Sequence, residues 1–280
     1  MRGDRTIRPA TDRPAPARLR SRALVALAVL SAGGAGAQAP APPEYVAIPA
    51  TRFLSVIESE PGTPPESIPA YSLRTTPVTN AQFLAFIEAH PQWRRDRVPS
   101  VFADDRYLSH WQGALETGAE ALPEQPVTRV SWFAAQAYCE SEGARLPTWL
   151  EWERAASASA TLEDARKDPA WRKSMLDWYS KPSNTALGTV GGEPNLFGVR
   201  DLHGLVWEWV DDFGAMMVTS DSRDQNDPDR LKFCGAAAMS LRDRDNYALL
   251  MRVAMMSSLQ ADDTTNNLGF RCARDGGTTP

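Results

Sequence analysis

The chain has three cysteines, Cys139, Cys234 and Cys272, which are the residues best suited to redox, metal or nucleophilic chemistry. In an oxidising compartment an odd number means one disulfide and one remaining thiol, and spacing alone does not say which two are paired. Cys234 precedes a run of small residues, where a lone cysteine usually behaves as a small hydrophobic side chain. A reactive cysteine needs an exposed, electropositive setting, so both interpretations of Cys234 stay open.

Two carboxylates form a second group with chemical potential. Asp201 and Glu208 lie seven residues apart with a glycine turn between them, and a hard cation such as calcium takes carboxylate oxygens together with turn carbonyls. The alternative is structural, with one acid at a helix start and the other in an ordinary buried hydrogen bond. The three histidines, His90, His110 and His203, are not spaced like a three-histidine iron site.

Short strands and long loops must position these groups. Strands are predicted at 45–49 and 52–57, where apolar and β-branched residues are frequent. Residues 58–69 contain four prolines and are predicted to form a loop. The segments 94–125 and 180–200 are also predicted to be irregular.

Capping residues predict three helices. The helices cover 81–90, 132–142 and about 149–158, and they follow polar residues at 79–80, 131 and 148. Glu151 lies three residues after Thr148, so the third helix begins with a capping box. The methionines near 251–256 fit a further core helix over 247–256. Many short elements joined by long loops favour a single α+β domain.

The first 37 residues are predicted to be a secretory signal. Seven arginines among residues 1–22 precede an apolar run at 23–32, and the small residues of an A-x-A site follow at 35–37. We expect cleavage after Ala37, a linker over 38–44, and a periplasmic or secreted mature protein. The alternative is a disordered arginine- and proline-rich arm.

Charge and hydropathy exclude two classes of protein. The mature chain would keep 23 basic and 33 acidic residues, a net charge of about −10, and it has no basic patch of the kind that nucleic-acid binding needs. No apolar run approaches the roughly 20 residues that span a bilayer, so membrane insertion is not expected. The oligomeric state cannot be read from the sequence.

Four segments together resemble one known family. They are PVTN at 77–80, a longer segment at 126–156 that contains PVTRVSW and GARLPT, NLFGVRDLHGLVWEW at 195–209, and NLGFRC at 267–272. In this order they are similar to the formylglycine-generating enzymes, also called sulfatase-modifying factors. The resemblance covers residues 45–275. It implies one compact α+β domain, a variant of the C-type-lectin fold with little regular secondary structure.

The resemblance also implies ligand sets and a cysteine pairing. In the family the two cysteines at the positions of Cys139 and Cys272 are joined, which implies that Cys234 is free. A bond between Cys139 and Cys272 would close a long loop, and the entropic description of disulfides gives such a bond about 4–5 kcal/mol of stabilisation. In the family a calcium ion sits on the 201–208 segment, where Asp201 and Glu208 would supply side chains. Main-chain carbonyls would come from His203, Gly204 or Val206.

One departure from the family bears on activity. Active members hold copper(I) with a Cys-x-x-x-x-Cys pair, which should fall near positions 243 and 248, and no cysteine lies between 235 and 271. Copper in that dithiolate arrangement, and hence formylglycine synthesis, is not expected. Cys234, Arg252 and Arg271 remain as a candidate pocket for other chemistry.

Three functions follow as hypotheses. The first is an accessory or maturation factor for another exported protein or peptide, such as a metalloenzyme. The sequence at 233–238 and 257–260 is similar to that of the nitrite-reductase-accessory (NirV-type) branch, which favours this hypothesis. The second is an oxidase with a different active site, and the third is a calcium-dependent, lectin-like binding module.

Overall fold

The largest sheet joins the two ends of the domain. The computed structural model of the chain describes residues 44–56, 64–179, 186–214 and 247–276. Strand β4 (Tyr71–Arg74) is central and pairs antiparallel with β1 (Tyr45–Ile48) on one side and β7 (Ala273–Asp275) on the other. Alternation along β4 buries Tyr71 and Leu73, so one face of this sheet lies on the core.

A second, two-stranded sheet corrects the predicted loop over 58–69. Strand β2 (Thr51–Phe53) pairs antiparallel with β3 (Glu66–Ile68), which is part of that segment. Three residues between Pro65 and Pro69 are enough for a short edge strand, because proline is tolerated at strand ends where its missing N–H is not needed. The prolines therefore bound the strand rather than exclude it.

Three helices begin where their capping residues predict. Helix α1 (Asn80–Ala89) has a capping box formed by Thr79 and Gln82. Helix α2 (Trp132–Ser141) follows the N-cap Ser131, and Gly143 beyond its end has a φ of 64°. Helix α3 (Trp149–Ala156) has the capping box of Thr148 and Glu151, and it ends two residues earlier than predicted. Residues 94–125 contain no α-helix or strand, as predicted.

Two further helices lie in the second half of the chain. Helix α4 (Pro169–Tyr179) was not predicted, although Asp168 accepts hydrogen bonds from the N–H groups of Ala170 and Trp171 and so caps it. Helix α5 (Tyr247–Met256) has the predicted bounds and contacts α4. Met256 is fully buried, whereas Met251 is 40% exposed, so only part of the methionine row is core.

A parallel pair of strands completes the fold. Strand β5 (Trp207–Trp209) pairs in parallel with β6 (Leu268–Phe270), and Glu208 lies opposite Gly269. A Cβ atom at Gly269 would lie 2.6 Å from the carbonyl oxygen of Val127, so only glycine allows this close approach. The described residues belong to one compact unit of mixed helix and strand, which confirms the α+β class. Among them, no helix is long and apolar enough to cross a membrane.

Candidate functional site

Glu208 lies at the centre of a buried ion-pair cluster. Its side chain on β5 is fully buried, and its two carboxylate oxygens accept hydrogen bonds from the Nη2 and Nε atoms of Arg271 at 2.7 and 2.8 Å. The indole N–H of Trp152 donates to the same carboxylate at 2.8 Å. Arg271 directly follows β6, so the parallel pairing of β5 with β6 brings the acid and the guanidinium together.

Arg271 uses its remaining donors on main-chain carbonyls. Nη1 donates to the carbonyls of Arg74 and Thr75, both at 3.1 Å, and Nη2 also donates to the carbonyl of Arg200 at 2.9 Å. The side chain has no exposed surface. A buried charge with all its donors used is a structural tie between segments, because nothing remains to contact a substrate.

Arg252 reaches the same cluster from α5. Its Nη2 donates to the main-chain carbonyl of Glu208, and its guanidinium lies 3.6 Å from the ring centroid of Trp152 and 5.8 Å from that of Trp149. The structure therefore brings together Arg252 and Arg271, two of the three predicted pocket residues. It places them in the core rather than on a pocket wall. The third, Cys234, lies outside the described residues.

Asp201 holds a turn rather than an open ligand position. Its two side-chain oxygens accept hydrogen bonds from the N–H groups of Gly191 and Gly192 at 2.8 and 3.0 Å. Its own φ of 59° is unusual for a residue other than glycine. Aspartate side chains commonly stabilise loops in this way, by accepting hydrogen bonds from main-chain N–H groups.

His203 is packed between aromatic rings. Its ring centroid lies 5.7 Å from Trp152 and 5.6 Å from Trp171, and its Nε2 is 2.9 Å from the carbonyl oxygen of Ala156. Burial is the largest of the effects that lower the pKa of His203 to about 4, and the nearby Arg252 contributes in the same direction. The imidazole is therefore neutral at neutral pH.

These partners do not fit the predicted calcium ligands. Both oxygens of Glu208 face a guanidinium and an indole N–H, so a calcium ion would have to displace a buried ion pair. Gly204, which has a φ of 98°, and the buried Val206 lie between Asp201 and Glu208 along the chain. A calcium ion bound by their carbonyls would still lack the Glu208 carboxylate as a ligand. Among the residues that the structure describes, no group of three or more His, Cys, Asp or Glu side chains is placed to hold a metal.

A disulfide joins Cys139 to Cys272. Both cysteines are fully buried and their Cα atoms are 5.4 Å apart, so the bond ties α2 to the segment between β6 and β7. This is the pairing that the family resemblance implies. Because the chain has three cysteines, Cys234 is the one outside this bond, and it lies outside the described residues.

Sequence reasoning missed a second buried acid. Glu153 on α3 has no exposed surface and accepts hydrogen bonds from the Ser55 hydroxyl at 2.5 Å, the Val56 N–H at 2.8 Å and Arg166 at 3.1 Å. Burial raises the pKa of Glu153 to about 7. No periodic pattern could reveal it, because seven of the eight residues of α3 are buried.

Glu153→Gln is expected to change how stability depends on pH. A folded pKa raised above the unfolded value stabilises the protein at low pH, and this contribution is lost as pH rises through about 7. Glutamine does not titrate, so the free energy of unfolding of the variant minus that of the wild type should increase between pH 5 and pH 8, by up to roughly 3 kcal/mol. Denaturant unfolding at several pH values measures it.

The matched control is Glu88→Gln, which changes an exposed glutamate on α1. Its difference from the wild type should stay flat over the same range. A flat difference for Glu153→Gln as well would contradict the raised pKa.

Comparisons with known proteins place these features in context. The family described as sulfatase-modifying factor enzyme 1-like domain matches residues 33–276. A formylglycine-generating enzyme of Streptomyces coelicolor is 31% identical over 254 residues, covering 75% of this chain and 79% of its own. A hercynine oxygenase of Mycobacterium tuberculosis is 29% identical over 160 residues, covering 51% of this chain and 38% of its own.

Two further comparisons extend the range of similarity. A bovine (Bos taurus) protein named inactive C-alpha-formylglycine-generating enzyme 2 is 31% identical over 176 residues, covering 59% of this chain and 55% of its own. Among solved structures, the crystal structure of CarF aligns with a TM-score of 0.47 at 18% identity, over 84% of this chain and 99% of that one.

Proposed function

Since the chain belongs to the family of sulfatase-modifying factors, we propose that it is a non-oxidase member that serves another exported protein as an accessory or maturation factor. Membership of this family is compatible with two roles. A member is either an enzyme that generates formylglycine, as the Streptomyces coelicolor relative is by its name, or a protein that has the fold without that reaction.

The number of free cysteines carries the proposal. The copper(I) site that the family resemblance implies needs two thiolates, because soft sulfur ligands select that metal. Cys139 and Cys272 are joined to each other, which leaves Cys234 as a single thiolate. One thiolate cannot form the dithiolate site, so oxidation of a substrate cysteine by that route is not expected.

The buried arginines support the same choice. An oxidase with a different active site would use Cys234, Arg252 or Arg271. The two arginines are buried in the Glu208 cluster, and Cys234 lies outside the described residues. A calcium-dependent, lectin-like module would need the carboxylate of Glu208, which is engaged by Arg271 and Trp152. Neither alternative gains support from the contacts of these residues.

The partner is proposed to be an exported protein or peptide. The predicted signal over residues 1–37 would place the mature chain among exported proteins. The family resemblance implies a pocket that binds an extended peptide, and a member that retains this pocket could hold a peptide without oxidising it. The bovine relative that is named inactive offers a parallel for a member without the reaction.

An oxidation assay tests the non-oxidase part. Purified, copper-loaded protein is incubated with a Cys-x-Pro-x-Arg peptide, oxygen and a reductant, and formylglycine is measured by mass spectrometry. No turnover is expected, with the Streptomyces coelicolor enzyme as the positive control and Cys234→Ser as the matched variant. Turnover that disappears in Cys234→Ser would overturn the proposal and identify Cys234 as catalytic.

The accessory part has its own test. A gene encoding an exported metalloenzyme is expected next to the gene for this protein, and deletion of the latter should lower the metal content or activity of that enzyme. Unchanged activity of every exported neighbour after deletion would contradict the accessory role.

A further inference from the structure

His110 lies in the irregular segment before α2, between Ser109, whose hydroxyl accepts a hydrogen bond from Arg129, and Trp111, whose carbonyl accepts one from Arg95. Burial together with the charges of Arg129 and Arg95 lowers the pKa of His110 to about 4. The Nδ1 atom of His110 is shielded from solvent and has no hydrogen-bond partner among the described residues.

A buried ring nitrogen without a partner costs free energy. The Nδ1 of His203 is also unpartnered within the described part of the chain. The arginines near His203 contact Glu208, however, so the surroundings of His110 are the ones that point to a further group.

The backbone at this place is held in an unfavourable conformation. Leu108 and Arg129 have φ angles of 48° and 53°, in the left-handed region that bulky side chains rarely adopt. The N–H of Leu108 donates to the carbonyl of Arg129 at 2.9 Å, and the N–H of Arg129 donates to the carbonyl of Thr265 at 3.0 Å. Strained residues that the surrounding structure holds in place are frequent at binding sites.

Within the part of the chain that the structure describes, no carboxylate pairs with the two arginines. Arg95 donates to main-chain carbonyls within 108–112, and Arg129 donates to the Ser109 hydroxyl at 2.6 Å. Several other arginines pair with carboxylates, namely Arg74, Arg94, Arg106, Arg145, Arg154, Arg166 and Arg271.

We propose that Arg95, Arg129 and His110 form an anion-binding site, which takes one carboxylate or tetrahedral oxoanion from a solute or from a bound protein. The two guanidinium groups supply charge, and an anion gives the Nδ1–H of a protonated imidazole an acceptor. Such a site binds its anion whether or not the protein oxidises cysteine, so it is independent of the proposed accessory function.

Binding and protonation are coupled at this site. An anion next to His110 favours the charged imidazole and raises its pKa. By linkage, the affinity for the anion increases as pH falls from 8 towards 5. Sulfate is a suitable probe because its charge does not change over this range.

Histidine NMR is the test, since the chain has three histidines and His110→Gln assigns the resonance. Sodium sulfate and, separately, sodium acetate are titrated at constant ionic strength set with sodium chloride. We expect a saturable shift of the His110 imidazole resonance and a raised pKa, while His203 stays unchanged as an internal control. Saturation by acetate alone would identify a carboxylate site, and saturation by sulfate alone would identify an oxoanion site.

Variants separate a specific site from general charge attraction. Arg129→Gln should weaken binding by about tenfold to a hundredfold, since it removes a charge-assisted hydrogen bond. The matched control, Arg97→Gln, removes an exposed arginine of the same segment and should leave affinity within about twofold, as expected for an exposed charge. Equal losses in both variants would overturn the site. If Arg129→Gln does not fold, the wild-type titration decides. A shift of the His110 resonance that depends on ionic strength rather than on which anion is present would overturn the proposed site.

Discussion

Glu208→Gln is expected to lower the free energy of unfolding by about 3–5 kcal/mol, because removing one partner of a buried ion pair leaves the other charge uncompensated. The uncompensated group is Arg271, which has no exposed surface and donates two hydrogen bonds to the Glu208 carboxylate. Glutamine keeps the shape, and its one oxygen can still accept from Trp152. Its NH2 group replaces one acceptor of Arg271, so the loss combines the charge with one hydrogen bond. Urea unfolding followed by tryptophan fluorescence measures it.

A control and a chelation experiment complete this prediction. Lys173→Gln breaks the exposed pair with Asp177 on α4 and should cost less than about 0.5 kcal/mol. EDTA should leave the melting temperature of the wild type unchanged if Glu208 serves as an ion-pair partner. A melting temperature that falls with EDTA in the wild type but not in Glu208→Gln would show a calcium ligand instead.

Cys139→Ala is expected to lower the free energy of unfolding by about 2–5 kcal/mol, the usual cost of losing a native disulfide. The bond to Cys272 spans a sequence separation of 133 residues, so it removes many conformations of the unfolded chain. It also ties α2 to the β6–β7 segment in the core. Urea unfolding of the oxidised proteins measures the difference.

Two further variants test whether the loss comes from the bond itself. The double variant Cys139→Ala, Cys272→Ala should be about as stable as the single one, because both lose the same bond. Cys234→Ala is the matched cysteine control and should leave stability nearly unchanged. An equal loss in Cys234→Ala, or a loss that doubles in the double variant, would contradict the Cys139–Cys272 pairing.

Local chemistry could be predicted from the sequence because it depends on neighbouring residues. The N-cap Ser131 and the capping box of Thr148 and Glu151 fix the starts of α2 and α3 within a few residues of chain. The missed helix α4 had a comparable signal, since the Asp168–Pro169 pair is typical of a helix start. The strand between Pro65 and Pro69 is not predicted, because the prolines of this segment indicate a loop and only three residues lie between them.

The central cluster could not be predicted because it depends on contacts between distant segments. Glu208 and Arg271 are 63 residues apart, and only the parallel pairing of β5 with β6 brings them together. From the sequence, Glu208 was interpreted as a calcium ligand and Arg271 as a pocket residue, since an acid and a base far apart show no sign of pairing. The same limit applies to His110, whose two neighbouring arginines lie 15 and 19 residues away along the chain.

A thiol count on the protein is the most direct test of the central claim, that the chain has no pair of free thiolates. Protein isolated without reductant is unfolded in denaturant and titrated with a thiol reagent, then reduced and titrated again. We expect one thiol per chain before reduction and three afterwards, because Cys139 and Cys272 are bonded and Cys234 is not. Three thiols before reduction would contradict the claim and would reopen the question of a dithiolate metal site.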